Sequence, residues 1–209
     1  MSSMNFKETT DYILDSFEDP SAFPPLLLMG DQGIGKSATA REAAKIMRSR
    51  GKKCRVIDLR LAHCDAGDIK GMPERGNGHV FYEKGDWFPI HVEDRQKLKA
   101  MLESIGRKYI ETTSDDEYVI LFLDEINRAP RDVQQATFQL IYDRELDGIR
   151  LTDKCVIMSA INDNSDLYQT TRMDPALLDR FFMVKFMPSP DEWLSFLKGL
   201  VDGGVASVS

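Results

Sequence analysis

The sequence predicts an α/β protein built on a doubly wound parallel sheet. Three observations favour this class. Apolar stretches of strand length alternate with stretches of helical spacing, one strand is apolar almost throughout, and a glycine-rich turn joins a strand to a helix. The chain has 209 residues, 42% of them hydrophobic, which is enough for one well-buried core. We therefore expect a single main domain.

Prolines and glycines delimit the elements of the first half. Asp19-Pro20 ends an amphipathic helix, Pro24-Pro25 imposes an extended entry into an apolar strand, and Gly51 stops the next helix. The segment 67–89 has five glycines and two prolines around an alternating stretch, a pattern typical of a hairpin rather than a helix. The expected elements are a helix at 6–18, a strand at 26–29, a helix at 36–50, a strand at 54–62 and this hairpin.

Strands and helices continue to alternate in the second half. Residues 118–124, YVILFLD, form a run that is typical of a strand buried on both faces of a parallel sheet. A turn at 146–148 follows the next helix. The expected elements are a helix at 91–110, this strand, a helix at 131–143, a strand at 155–160, a helix near 174–180 and a strand at 183–186.

A glycine-rich turn follows the strand at 26–29. Residues 30–37, GDQGIGKS, satisfy G-x-x-x-x-G-K-[ST], a strand-to-helix loop whose backbone N–H groups surround a triphosphate. Glycines let these groups approach the phosphate oxygens, and the helix opening at Lys36 adds its positive dipole end. Lys36 is expected to reach the β and γ phosphates, and Ser37 to hold Mg²⁺. The expected nucleotide contacts are Gly30, Asp31, Gln32, Gly33, Ile34, Gly35, Lys36, Ser37 and Ala38.

Two carboxylates, Asp124 and Glu125, stand at the end of the apolar strand. Ligands of doubly wound sheets bind at the C-terminal ends of the strands, so both should lie near the phosphates. Asp124 is expected to contact the magnesium nucleotide by completing the Mg²⁺ shell, and Glu125 to polarise the attacking water. The residues therefore predict hydrolysis of a nucleoside triphosphate with Mg²⁺ as cofactor.

With both motifs placed, residues 26 to about 197 resemble the MoxR-like branch of the AAA+ ATPases, related to midasin and dynein-type modules. Three blocks in order carry the resemblance: GDIKGMPERG…GDWFP, LFLDEINRAPRDVQQATFQLIYDREL and RMDPALLDRFFMVKFMPSPDEWLSF. The sequence departs from the family at Asp31-Gln32, positions often held by proline, and we expect an altered loop tilt without loss of binding.

The resemblance to this family implies a fold, nucleotides and residue roles that the residues alone do not predict. It implies a P-loop NTPase (AAA+) fold with strand order 5-1-4-3-2, a hairpin insertion after the second strand, and ATP and ADP as the nucleotides. Asn162 matches the polar sensor that positions water near the γ phosphate, with an ordinary turn asparagine as the alternative. Arg180 matches the arginine finger that a subunit inserts into its neighbour's site, and Arg172 is a weaker candidate. A surface salt bridge is the alternative for both arginines, and Arg128 is left unassigned.

Residues 1–188 are expected to form the nucleotide-binding domain and residues 189–209 the start of a helical lid. Family members usually continue into a longer lid with a second sensor arginine, whereas 22 residues follow Met187 here. Whether the sequence ends within the lid or the lid is reduced stays open.

The leading interpretation is a Mg²⁺-dependent ATPase that forms an ATP-dependent homo-oligomeric ring, expected to be hexameric, and remodels a protein client or adaptor. A DNA-acting motor or loader is an alternative, with Lys70, Arg75, His79 and Lys84 as a pore contact. The net charge of −7 disfavours nucleic acid as the partner. A third interpretation is a slow nucleotide-dependent switch or scaffold.

A membrane segment and a cysteine-based metal site are not expected. No apolar run approaches the roughly 20 residues that span a bilayer, and the first residues lack the pattern of a secretory signal, which favours a cytoplasmic protein. Cys54, Cys64 and Cys155 are scattered without metal-ligand spacing, so buried free thiols are expected.

Overall fold

The computed structural model describes residues 2–76, 79–111, 113–162, 173, 175–192 and 194–195. The strands are β1 (Ser2–Met4), β2 (Leu26–Gly30), β3 (Cys54–Arg60), β4 (Met72–Gly76), β5 (His79–Glu83), β6 (Tyr118–Asp124), β7 (Glu145–Leu146), β8 (Ile149–Arg150), β9 (Cys155–Asn162) and β10 (Phe182–Phe186). The helices are α1 (Phe6–Asp15), α2 (Lys36–Ser49), α3 (Ala66–Lys70), α4 (Val92–Ser104), α5 (Arg131–Asp143) and α6 (Pro175–Leu178), with short 3₁₀ helices at Leu61–His63 and Ile126–Arg128.

Six strands form a sheet that is parallel throughout, in the order β1-β10-β2-β9-β6-β3. When the five strands other than β1 are numbered along the chain, the order reads 5-1-4-3-2, so the expected topology is confirmed. The edge strand β1 was not anticipated. Its three residues, Ser-Ser-Met, carry no alternating pattern, and they join the sheet by pairing with Val184–Phe186 of β10.

The sheet is buried on both faces, which explains the apolar run of β6. Val119, Leu121 and Leu123 belong to one core cluster, together with apolar residues of α4 and α5. Ile120 and Phe122 belong to the other, together with apolar residues of α2. Because successive side chains of a strand point to opposite faces, a strand with helices on both sides must be apolar at every position.

The segment 67–89 forms the expected hairpin, β4 paired antiparallel with β5, but the prediction is wrong for its first residues. Residues 66–70 are the helix α3, because Asp65 and Asp68 form a capping box: Asp68 N donates to Asp65 Oδ1 at 3.0 Å and Asp65 N donates to Asp68 Oδ2 at 2.9 Å. The helix expected at 91–110 ends earlier, at Ser104, followed by Gly106 with φ +76°.

Gly71 connects α3 to the hairpin, and its backbone conformation and surroundings leave no room for a residue with a side chain at this position. Its φ is +91°, and a Cβ atom there would lie 2.1 Å from the carbonyl oxygen of Glu83. We expect Gly71→Ala to lower the free energy of unfolding by about 3 kcal/mol, because a backbone clash is added to the left-handed strain.

The matched control is Gly51→Ala. Gly51 also has a positive φ, +77°, but a Cβ atom added to it would have no other atom within 4 Å. This substitution should therefore cost only about 1–2 kcal/mol. Urea unfolding of both variants measures the difference. Equal losses in the free energy of unfolding would show that the backbone at Glu83 moves away from the added Cβ atom without lowering stability.

Within the described ranges, no helix is both long and apolar enough to cross a membrane. Two of the three cysteines, Cys54 and Cys155, are buried as expected, and Cys64 is only half-buried. Burial raises the pKa of the Cys54 thiol to about 11 and that of the Cys155 thiol to about 12. Both thiols are therefore protonated at neutral pH and unreactive.

Candidate functional site

A cavity of about 300 Å³ opens at the carboxyl edge of the sheet. It forms where β2, β9 and β6 end side by side: Gly30 pairs with Asn162, and Asp124 pairs with Ala160. Nine residues expected at the nucleotide site line this one cavity: Gln32, Gly33, Gly35, Lys36, Ser37, Ala38, Asp124, Glu125 and Asn162.

The loop between β2 and α2 takes its shape from two glycines. Gly33 and Gly35 have φ values of +82° and +97°, a region that residues with side chains rarely adopt. Gly35 is the N-cap of α2, and as a glycine it has no side chain with which to cap this helix end. The positive end of the helix dipole lies at the cavity, an arrangement that favours an anion.

Gly30, Asp31 and Ile34 are not among the residues that line the cavity. Gly30 and Asp31 contribute backbone carbonyl groups to the loop instead. The Ile34 side chain packs against Gly30, where its Cδ1 would lie 2.7 Å from an added Cβ. These positions shape the loop through its backbone and its packing.

The Lys36 side chain is buried and lies between the loop and β9. Its Nζ donates to the carbonyl oxygens of Gly30 at 2.7 Å and Asp31 at 2.8 Å. It also donates to Asn162 Oδ1 at 3.0 Å. The ammonium group is thus held inside the cavity, next to a side chain that is 126 positions away along the sequence.

Asp124 ends β6 and is partly buried. Burial raises the pKa of its carboxyl group, the nearby charges of Glu125 and Asp58 raise it further, and the Lys36 charge opposes them. One of its oxygens, Oδ1, accepts from the Glu125 backbone N–H at 2.9 Å. A cation bound beside Asp124 would offset the cost of keeping this carboxylate charged, which is a property suited to a metal ligand.

Glu125 follows in a left-handed conformation, with φ +55° and ψ +37°, which is rare for a residue with a side chain. Only 9% of the residue is exposed. Its Oε1 accepts from Asn162 Nδ2 at 3.4 Å and lies 3.2 Å from Arg128 Nη1. Two donors from different elements thus hold one carboxylate oxygen at the cavity wall.

The residues present fit a magnesium nucleotide. Mg²⁺ in proteins usually takes one or two side-chain oxygens and completes its octahedral shell with phosphate oxygens and water. Ser37 and Asp124 both line the cavity and supply a hydroxyl and a carboxylate oxygen of this kind.

Two residues that line the cavity, Arg60 and Phe122, were not predicted from the sequence. Arg60 is the last residue of β3 and pairs in register with Asp124. The signal was present, because CRVIDLR ends at the same sheet edge as YVILFLD once the two strands are adjacent. Phe122 lies within the apolar run of β6, where nothing in the pattern separates a cavity-lining residue from a core residue.

The structure does not bring Arg180 to this cavity. Arg180 precedes β10, whose first residue Phe182 pairs with Leu26, at the end of β2 opposite to Gly30. Leu26 and Gly30 are four residues apart on β2, which corresponds to about 13 Å along the strand. Arg180 lies with its guanidinium carbon 4.0 Å from the ring centre of Tyr142. The weaker candidate, Arg172, lies outside the described residues.

A parallel sheet of this order, with a glycine-rich loop between its central strand and a helix and a carboxylate pair on a nearby strand, is the fold of AAA-type P-loop NTPases. Residues 89–181 match the model of a family described as the AAA domain, dynein-related subfamily. The match covers slightly less than half of the chain. It begins after the glycine-rich loop, so the loop and the family model are two separate observations that support the same class of protein. None of the curated proteins matches the sequence.

Among solved structures, the fold is similar to that of a candidate ATPase from Cytophaga hutchinsonii, with a TM-score of 0.55, 17% identity, and coverage of 94% of this chain and 55% of the other. It is also similar to the RuvB Holliday junction branch migration motor of Thermotoga maritima, with a TM-score of 0.47, 15% identity, and coverage of 98% and 52%. The chain thus spans about half the length of the structures it matches. At these identities the likeness concerns the fold alone.

Proposed function

We propose that the protein is a Mg²⁺-dependent ATPase that hydrolyses ATP to ADP and phosphate at the carboxyl edge of its sheet. The observation that carries this proposal is the hydrogen-bonded chain from Lys36 through Asn162 to Glu125, which joins the phosphate loop to the carboxylate pair. A purely structural glycine turn has no need of a buried lysine and a buried glutamate on one cavity wall.

Binding of the phosphates is assigned to the loop and the first turn of α2. The backbone around Gly33 and Gly35 surrounds the phosphate oxygens, and Lys36 exchanges its carbonyl contacts with Gly30 and Asp31 for contacts to the β and γ phosphates. Ser37 and Asp124 hold Mg²⁺. When bound, the ion neutralises negative charge on the phosphate oxygens.

Glu125 is assigned as the group that activates water. As the water oxygen attacks the γ phosphorus, the Glu125 carboxylate accepts its proton, and the bond from this phosphorus to the bridging oxygen breaks. ADP and inorganic phosphate leave as products. Asn162 orients Glu125 and the water, since its amide already links Lys36 and Glu125.

Arg180 is assigned to a neighbouring copy of the chain. It lies at the opposite end of β2 from the phosphate loop, so it cannot reach the nucleotide of its own chain. In a ring of identical copies, which we expect to be hexameric and to form with ATP, it would stabilise the charge on a neighbour's γ phosphate. We propose a protein client or adaptor for this ring. The cytoplasmic location stays a prediction.

One observation weakens the DNA-acting alternative. Lys84, one of the four basic residues named for a pore contact, has a fully buried side chain whose Nζ donates to Asp147 Oδ2 at 3.0 Å and to Lys70 O at 2.8 Å. It therefore anchors the hairpin and is not available to a phosphate backbone.

The proposal predicts steady-state release of phosphate that requires Mg²⁺. Release is measured from purified protein with ATP, with and without chelator, and particle size is measured by light scattering under the same conditions. We expect turnover and larger particles only with both ATP and Mg²⁺. Tight nucleotide binding without release would favour the slow switch, and stimulation by DNA that falls with added salt would favour the DNA-acting alternative.

A further inference from the structure

Three side chains stack at the end of α5. The guanidinium carbon of Arg180 lies 4.0 Å from the centre of the Tyr142 ring, within the range of a cation–π contact. The Tyr142 ring in turn stacks on Phe138, with 5.7 Å between the ring centres and 15° between the planes. We call these three residues, Phe138, Tyr142 and Arg180, the aromatic stack.

The aromatic stack runs from the core to the surface. Phe138 is half-buried and packs against the larger core cluster, which fixes its inner end. Phe138 and Tyr142 are four residues apart on α5 and share one face of the helix. Tyr142 is 49% exposed, although a large aromatic ring is usually more buried, and Arg180 is exposed as well.

A stacked guanidinium is both restrained and available. The guanidinium carbon of Arg180 lies 4.0 Å from the centre of the Tyr142 ring. A guanidinium that stacks on a ring uses its face for this contact, and its N–H donors, which lie in the plane, remain accessible to an anion. Among the described residues, no carboxylate forms an ion pair with Arg180. An arginine that is held in place before docking loses less side-chain entropy when it binds.

We infer that Tyr142 is a positioning residue that holds Arg180 for the phosphates of a nucleotide bound to a second copy of this chain. The inference rests on the proposed ATPase function and adds an interaction surface to it. The partner surface is the open mouth of the cavity lined by Lys36 and Asp124, because a bound triphosphate is the anionic group there. Arg180 of the aromatic stack and this cavity lie toward opposite ends of the strands of the sheet. This arrangement fits a head-to-tail contact between identical copies.

Tyr142→Leu removes the ring and keeps a bulky apolar group over Phe138, whereas Tyr142→Phe keeps the ring and serves as the matched control. We expect Tyr142→Leu to lower kcat about three- to tenfold with an unchanged KM for ATP, and Tyr142→Phe to stay within about twofold of wild type. Melting temperature and nucleotide affinity of each variant check that its fold and its own site are intact.

Mixing experiments separate positioning from a structural role. Subunits with Lys36→Ala lack a working site and keep the aromatic stack, so adding them should restore the activity of each Tyr142→Leu subunit. Subunits with Arg180→Ala should give no recovery, because they offer no arginine to the neighbour. A purely structural defect within the Tyr142→Leu subunit would not respond to either partner.

The outcomes distinguish failure of the positioning role from failure of the ATPase proposal. Full activity of Tyr142→Leu, an equal loss in Tyr142→Phe, or no recovery with Lys36→Ala subunits would overturn the positioning role while wild-type hydrolysis leaves the ATPase proposal standing. A wild-type protein that hydrolyses no ATP in the presence of Mg²⁺ would overturn the ATPase proposal and this role together.

Discussion

Glu125→Gln is expected to lower ATP turnover by about 10²- to 10⁴-fold while nucleotide binding stays close to that of wild type. Glutamine has the same length and can still accept from Asn162 and Arg128, which lie 3.4 Å and 3.2 Å from Glu125 Oε1. It cannot take the proton of the attacking water. Phosphate release at saturating ATP measures the first effect, and titration with a fluorescent nucleotide measures the second.

Glu103→Gln is the matched control, because Glu103 is an exposed residue of α4 that does not line the cavity. It removes the same charge and should leave turnover unchanged. If Glu125→Gln hydrolyses ATP at the wild-type rate, the proposed role of Glu125 is wrong, and the water must be activated by another group.

Lys36→Ala is expected to weaken binding of the magnesium nucleotide by about 10²-fold or more and to remove measurable turnover. Truncating one partner of a buried, hydrogen-bonded charge pair typically costs about 2–5 kcal/mol. Without nucleotide, the variant also leaves Asn162 Oδ1 and the carbonyl oxygens of Gly30 and Asp31 without the donor that Lys36 provides. Equilibrium titration with ATP and Mg²⁺ gives the change in Kd.

Lys45→Ala provides the control on the same helix. Lys45 is 74% exposed at its side chain and lies 3.6 Å from Glu42, away from the cavity. Its removal should change the affinity by less than about twofold, since exposed ion pairs contribute little. Equal affinities for wild type and Lys36→Ala would show that the nucleotide does not bind against this loop.

The parts of the fold that the sequence predicted have local causes. The spacing of Ala40, Ala43, Ala44 and Met47 indicates the buried face of α2, and the run at 118–124 indicates a strand covered on both sides. The glycines at 33 and 35 indicate the left-handed turns of the phosphate loop. Each of these signals depends on residues that are close in sequence, so no knowledge of the tertiary structure is needed.

The parts that it did not predict depend on residues distant in sequence or on very short elements. β1 has three residues and forms only because β10 is beside it. Arg60 becomes part of the site because β3 and β6 are neighbours in register. The stacking of Arg180 on Tyr142 joins two residues that only the tertiary structure brings together. α3 was missed because the glycines of its segment outweighed the capping box at Asp65 and Asp68.

The central claim is that a magnesium nucleotide binds at the carboxyl edge of the sheet, between the glycine-rich loop and Asp124. Calorimetric titration of ADP into purified protein, with Mg²⁺ present and then with chelator, tests it most directly. The account predicts one nucleotide bound per chain with Mg²⁺ and weaker binding with chelator. Protein that is folded by circular dichroism but takes up no nucleotide in the presence of Mg²⁺ would contradict it.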